Sequence, residues 1–140
     1  MEVSNQPKLT FHGVDFINIK FETNQQYDNE SVIDLNIQPK IFYPESKNNI
    51  FKIFMDVTIV CENFFNLSLV AIGNFEFDKD FDDNEIRKTF INTNAPAIMF
   101  PYVRSFITNF TSNLGNVTGA IIIPTQFFQG ELPELSLDED

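Results

Sequence analysis

Two neighbouring stretches decide the fold class: Ile50-Phe51-Lys52-Ile53-Phe54-Met55-Asp56-Val57-Thr58-Ile59-Val60-Cys61-Glu62 and Phe65-Asn66-Leu67-Ser68-Leu69-Val70-Ala71-Ile72-Gly73-Asn74-Phe75-Glu76-Phe77. In the first, Phe51, Ile53, Met55, Val57, Ile59 and Cys61 fall at every second position. A β-strand turns alternate side chains to opposite faces, so these residues share one face. Lys52, Asp56, Thr58 and Glu62 take the other, joined by Phe54 and Val60. The second stretch repeats the pattern with Phe65, Leu67, Leu69, Ala71, Gly73, Phe75 and Phe77. The gap between the stretches is short, and short turns join antiparallel neighbours.

Toward the N-terminus, Ile33, Leu35 and Ile37 alternate with Asp34, Asn36 and Gln38, the pattern of a half-buried strand. Pro39 lacks the N–H that a central ladder needs, so this strand sits at an edge or bends there. Residues 14–22 are also strand-like, with Ile17, Ile19 and Phe21 alternating against Asn18 and Lys20. Val14 and Phe16 fall on the opposite parity, so the apolar phase flips between Phe16 and Ile17, and a bulge or burial of both faces is expected. Residues 23–31 form a polar loop, 44–49 a turn, and 1–8 a flexible polar arm. The expectation is a four-stranded antiparallel sheet with one strongly apolar face and a partly apolar second one.

Beyond the strands the pattern changes. Residues 78–85 form an acidic loop ending in a helix N-cap candidate, Asp83 or Asn84. Ile86, Phe90 and Ile91 suggest a short helix. After Pro101, Val103, Phe106, Ile107, Phe110 and Leu114 fall at helical spacing. Pro101 suits the first turn of that helix and Gly115 its C-cap. Residues 121–123 are a short apolar run, 126–130 have the length of one helical turn, and 131–140 read as an acidic mobile tail. Strands followed by helices make the chain α+β.

The chain has 140 residues, one ordinary domain, with 43% hydrophobic and 21% charged residues. Its apolar content leans on 17 Phe. Most of these belong to a core, and aromatic residues are also favoured on binding surfaces. The net charge of -11 argues against binding a phosphate backbone, so no nucleic-acid partner is expected. A single cysteine, Cys61, permits no internal disulfide. The first residues show no basic stretch followed by an apolar one, and no apolar run has the length of a membrane helix, about 20 residues. A cytoplasmic location without an integral membrane segment is the expectation.

The sequence shows none of the recognisable catalytic or metal-binding arrangements. His12 is the sole histidine and shows no zinc-ligand spacing. Cys61 lies in phase with the apolar face of its strand and reads as core. The run Asp78-Lys79-Asp80-Phe81-Asp82-Asp83 imitates a calcium loop but has Asp83 where glycine is required, and Thr89 where the closing glutamate belongs. The glycines are scattered rather than gathered in a phosphate loop. No catalytic residue, cofactor or metal is expected, and the chain does not read as an enzyme.

One further stretch is more specific. Pro96-Ala97-Ile98-Met99-Phe100-Pro101-Tyr102-Val103-Arg104, with Ile107-Thr108 following, resembles the signature of the SecB protein-export chaperones. Pro124-Thr125-Gln126-Phe127 resembles the family's Pro-x-Asn-Phe segment, and Ile19-Lys20-Phe21-Glu22 the end of its first strand. The resemblance spans roughly residues 9–128, within a domain taken as residues 9–130. It implies a dimer of dimers whose long helices lie between two eight-stranded sheets, and ATP-independent binding of unfolded or precursor polypeptides in apolar grooves. It also implies delivery of those polypeptides to the SecA translocation motor, for which Glu22 fits a docking position. Asn18 and Leu69 stand where the family carries acids, and Gly130 and Pro133 replace its second long helix. Candidates for client binding or assembly are Phe54, Val60, Phe75, Phe77, Phe100, Tyr102, Phe106 and Phe110. Two alternatives stay open: a SecB-like chaperone with a dedicated client of the toxin–antitoxin type, and a non-chaperone adaptor on the same scaffold.

Overall fold

The computed structural model describes residues 9–44, 49–77, 84–125 and 131–135. Four strands form one antiparallel sheet: β1 (Leu9–Thr23), β2 (Asp34–Phe42), β3 (Ile50–Cys61) and β4 (Phe65–Phe77). Their order across the sheet is β1-β4-β3-β2, which makes β1 and β2 the edges. The alternation in β3 and β4 is what pairs them. Phe51 lies opposite Phe75, Met55 opposite Ala71 and Ile59 opposite Leu67. Opposed residues share a face, and this face is buried along both strands. A three-residue turn joins them, with Asn63 in the left-handed region at φ 75° and the Phe64 N–H donating to the Cys61 carbonyl at 2.9 Å.

β1 departs from the expected single phase change. It carries two irregularities, between Phe11 and Val14 and between Ile17 and Lys20, each with one more residue on β1 than on β4. Gly13 (φ 102°) and Asn18 (φ 53°) supply the left-handed backbone at these bulges. A single inserted residue reverses the facing of everything after it. Two insertions therefore bring Phe11, Phe16 and Phe21 to one face, opposite Phe75, Ala71 and Leu67. Ile17 falls on the other face beside Val70, and Ile17 and Ile19 are both exposed.

After the sheet, α1 (Asn84–Thr89) passes through a π-helical turn at Phe90–Asn94 into α2 (Ala95–Ser112). The long helix begins six residues before Pro101, with Pro96 in its first turn. Pro101 is thus inside the helix rather than at its start. The hydrogen bond it forgoes is to the carbonyl of Ala97, and both residues are solvent-exposed, so water can serve that carbonyl. Ala95, Met99, Phe100, Val103 and Ile107 are buried and cover the apolar face of the sheet. Arg87 closes one end, its guanidinium carbon 4.7 Å from the Phe77 ring centroid. Expectations for residues 1–8, 78–83, 126–130 and 136–140, among them Asp83 as N-cap and the helical turn at 126–130, lie outside the described residues.

Candidate functional site

The polar residues of α2 hold a wall in place. Arg104 donates from Nε to the Ile123 carbonyl at 2.8 Å, and Thr108 donates from Oγ1 to the Ile121 carbonyl at 2.8 Å. Thr111, fully buried, accepts the Ile121 N–H at 2.9 Å and donates to the Ile107 carbonyl. These bonds satisfy both backbone groups of Ile121 and the carbonyl of Ile123, which would otherwise be costly to place against the core. Ile121 and Ile123 turn inward, while Ile122 is 75% exposed.

Between this wall and the sheet lies a cleft of about 130 Å³, lined by Ile33, Leu35 and Ile59 on one side and residues 121–124 on the other. Every lining side chain is apolar. A space of this size takes one or two aliphatic side chains.

The cleft opens beside the free edge of β2. Both backbone groups of Ile41 point away from β3: its N–H donates to the Pro133 carbonyl at 2.9 Å, and its carbonyl accepts the Leu135 N–H at 2.7 Å. Backbone groups on an antiparallel strand alternate in direction, so those of Leu35, Ile37 and Pro39 point outward as well. Among the described residues, the outward N–H groups of Leu35 and Ile37 have no backbone partner. Pro39 sits where its missing N–H costs the sheet no bond, at an edge, one of the two placements its sequence allowed.

The other edge of the apolar face is closed by aromatic rings. Phe11 meets Tyr102 at 5.0 Å between centroids, Phe16 stacks on Phe106 at 4.2 Å, and Phe21 meets Phe110 edge-on at 6.0 Å. The two bulges of β1 are what align its three Phe with positions spaced four apart on α2.

The residues expected to bind clients or mediate assembly do not converge. Phe75, Phe77 and Phe100 are 1%, 0% and 3% exposed. Within one chain these three candidates for client binding or assembly are core, because α2 and Arg87 close over them. Phe106 and Phe110 are half-buried against β1. Tyr102 is 53% exposed despite its contact with Phe11. Phe54 and Val60 lie half-buried on the opposite face of the sheet, where Phe54 meets Phe42 at 6.1 Å. Glu22 is exposed on that face, opposite Asn66. Leu69 is buried on the face that α2 covers.

The cleft and its supports carry no motif in the sequence; its only traces there are Pro39, which implies an edge or a bend, and the apolar run at 121–123. Thr111 and Asn92 leave none. Cys61 is buried, and burial, then Asp28 and Asp34, push its thiol above the ordinary range. His12 pairs with Glu76 at 3.0 Å. Among the described residues no three His, Cys, Asp or Glu gather as a metal site. Nor is any helix among them long and apolar enough to cross a membrane.

No protein-family model and no curated protein matches the sequence. The backbone does match solved structures. One is the Mycobacterium tuberculosis SecB-like chaperone Rv1957, in complex with a ChAD peptide from the Rv1956 HigA1 antitoxin. It aligns with a TM-score of 0.65 at 10% identity, over 83% of this chain and 86% of that one. The fold is SecB-like. A Streptococcus agalactiae protein of unknown function aligns with a TM-score of 0.44 at 8% identity, over 86% of this chain and 99% of that one. At these identities the likeness is one of backbone architecture.

Proposed function

We propose that this chain is an ATP-independent chaperone that binds non-native polypeptide segments. The observation that carries the reading is the open edge of β2 beside a cleft lined by apolar side chains, on a fold shared with a peptide-binding chaperone. An extended segment gains backbone hydrogen bonds from a strand edge and side-chain burial from a cleft, and neither requires a particular sequence. The dedicated-client form is favoured over general export, because the Rv1957 structure holds a peptide from an antitoxin. Delivery to SecA rests on Glu22; Asn18, within a bulge, is uncharged, and Leu69 is interior. Assembly into a homo-oligomer, with a tetramer as the expected form, would cover the exposed Ile98 and Tyr102 of α2.

The test is light scattering of an aggregating, chemically unfolded client. A stoichiometric amount of this protein should delay the rise in scattering. An unchanged time course removes the holdase reading and leaves the adaptor. Purified SecA separates the two chaperone forms: the dedicated-client form predicts no association even at low salt, where acidic contacts are strongest.

A further inference from the structure

Residues 131–135, read from sequence as part of a mobile tail, are seated on β2. Glu134 forms a parallel bridge with Ile41 through the two hydrogen bonds given above. Leu132 is buried with the core, and its N–H donates to Asn92 Oδ1 at 2.8 Å. Asn92 lies in the π-helical turn between α1 and α2, and its Nδ2 donates to the Lys88 carbonyl at 3.0 Å. The chain's own segment therefore joins the sheet as an extended client would: backbone bonds to the edge, one aliphatic side chain in the interior, and a side-chain latch behind it.

We propose that residues 131–135 are a built-in occupant of the polypeptide-binding edge, and that an extended aliphatic segment of a client displaces them by pairing along β2 from Leu35 to Ile41. The inference rests on the chaperone reading and adds the binding mode and its internal competitor. Pairing along that whole edge takes roughly seven residues at about 3.3 Å each. A segment of that length cannot bond Ile41 while Pro133 and Leu135 do. One aliphatic side chain of the client would enter the cleft beside Leu35, and another the seat of Leu132. A site held closed part of the time weakens apparent affinity by the fraction that is open. Loosening the latch should therefore strengthen binding.

The experiment uses the full chain and a permanently unfolded polypeptide, reduced carboxymethylated α-lactalbumin. Amide exchange by NMR follows two groups. On saturation, the Leu135 amide should lose its protection, while the Ile41 amide keeps it through the client's carbonyl. N92A should bind the polypeptide at least about threefold more tightly than the natural chain. N92D retains an acceptor for the Leu132 N–H and loses only the donor to Lys88, so it should bind as the natural chain does. If the natural chain binds but the Leu135 amide stays protected at saturation, the displacement inference is overturned while the chaperone reading stands. If N92A exposes the Leu135 amide without a gain in affinity, the competition is likewise refuted. Absence of binding by the natural chain and both variants overturns the chaperone reading and this inference together.

Discussion

Gly73 sits on β4 under α2, and a β-carbon built there would lie 2.7 Å from the Met99 sulfur and 2.9 Å from a Phe75 ring carbon. Met99 is fully enclosed and has little room to retreat. Gly73→Val should therefore destabilise the fold by about 1–3 kcal/mol through overpacking, measured by urea denaturation. Asp28 shows a different residue-scale effect. Its carboxylate accepts the Ser31 N–H at 2.8 Å, the Glu30 N–H at 2.9 Å and the Ser31 hydroxyl at 2.7 Å. The backbone bond from Ser31, then that from Glu30, lowers its pKa below the ordinary value. A carboxyl with a lowered folded pKa adds stability above its unfolded value, near 3.9, and loses it as pH falls toward the folded one. Acidification below about pH 4 should lower the protection of the Ser31 amide relative to its intrinsic exchange rate, with no such loss of protection between pH 5 and 8.

At the scale of elements, α2 does two jobs with two faces. Its apolar residues cover the sheet, and Arg104, Thr108 and Thr111 anchor the segment that walls the cleft. Within the resembling stretch, Arg104 and Thr108 are thus structural pins, which their side-chain chemistry alone does not reveal. Thr108→Val removes one pin while keeping the side chain's shape. It should cost about 1–3 kcal/mol by urea denaturation, because the Ile121 carbonyl loses a donor. It should also shorten the delay of client aggregation in the scattering assay, because the wall loosens. β1 and β2 illustrate two kinds of edge. β1 is backed by aromatic pairs with α2, while β2 lends its edge to residues 131–135 and leaves Leu35 and Ile37 open. An open edge is an aggregation hazard unless it is managed. Here Pro39 removes one outward donor and the docked segment covers Ile41.

For the whole molecule, one sheet and one long helix leave apolar surface exposed along the flank of the helix beside β1, at Ile98 and Tyr102. Assembly predicts a particle several times the mass of one chain by sedimentation. Replacing Tyr102 with Glu should shift it toward smaller species while circular dichroism stays unchanged. A natural chain that sediments as a monomer would remove the assembly part of the proposal. The net charge of -11 keeps such a particle soluble through like-charge repulsion.

The sequence by itself determined the sheet and its interior face. Alternation in β3 and β4 is dictated by strand geometry and survives any packing that buries one side. Pro39 likewise narrowed its strand to an edge or a bend, because a missing N–H is a local fact, and the strand order made it an edge. The helix was legible in its apolar spacing but not in its start, since only solvent at Ala97 makes Pro101 tolerable inside it. What tertiary structure alone decided is which Phe are core, where β1 reverses its facing, and where the cleft lies. Phe75, Phe77 and Phe100 look in sequence like Phe54 or Phe106; the element that packs over each one separates them. Two bulges reset β1 to match rings on α2, a long-range fit that no local pattern encodes. The docking of residues 131–135 on β2 was hidden for the same reason: acidic, proline-containing sequence reads as tail until an edge with free hydrogen-bonding groups and a seat for Leu132 lies beside it.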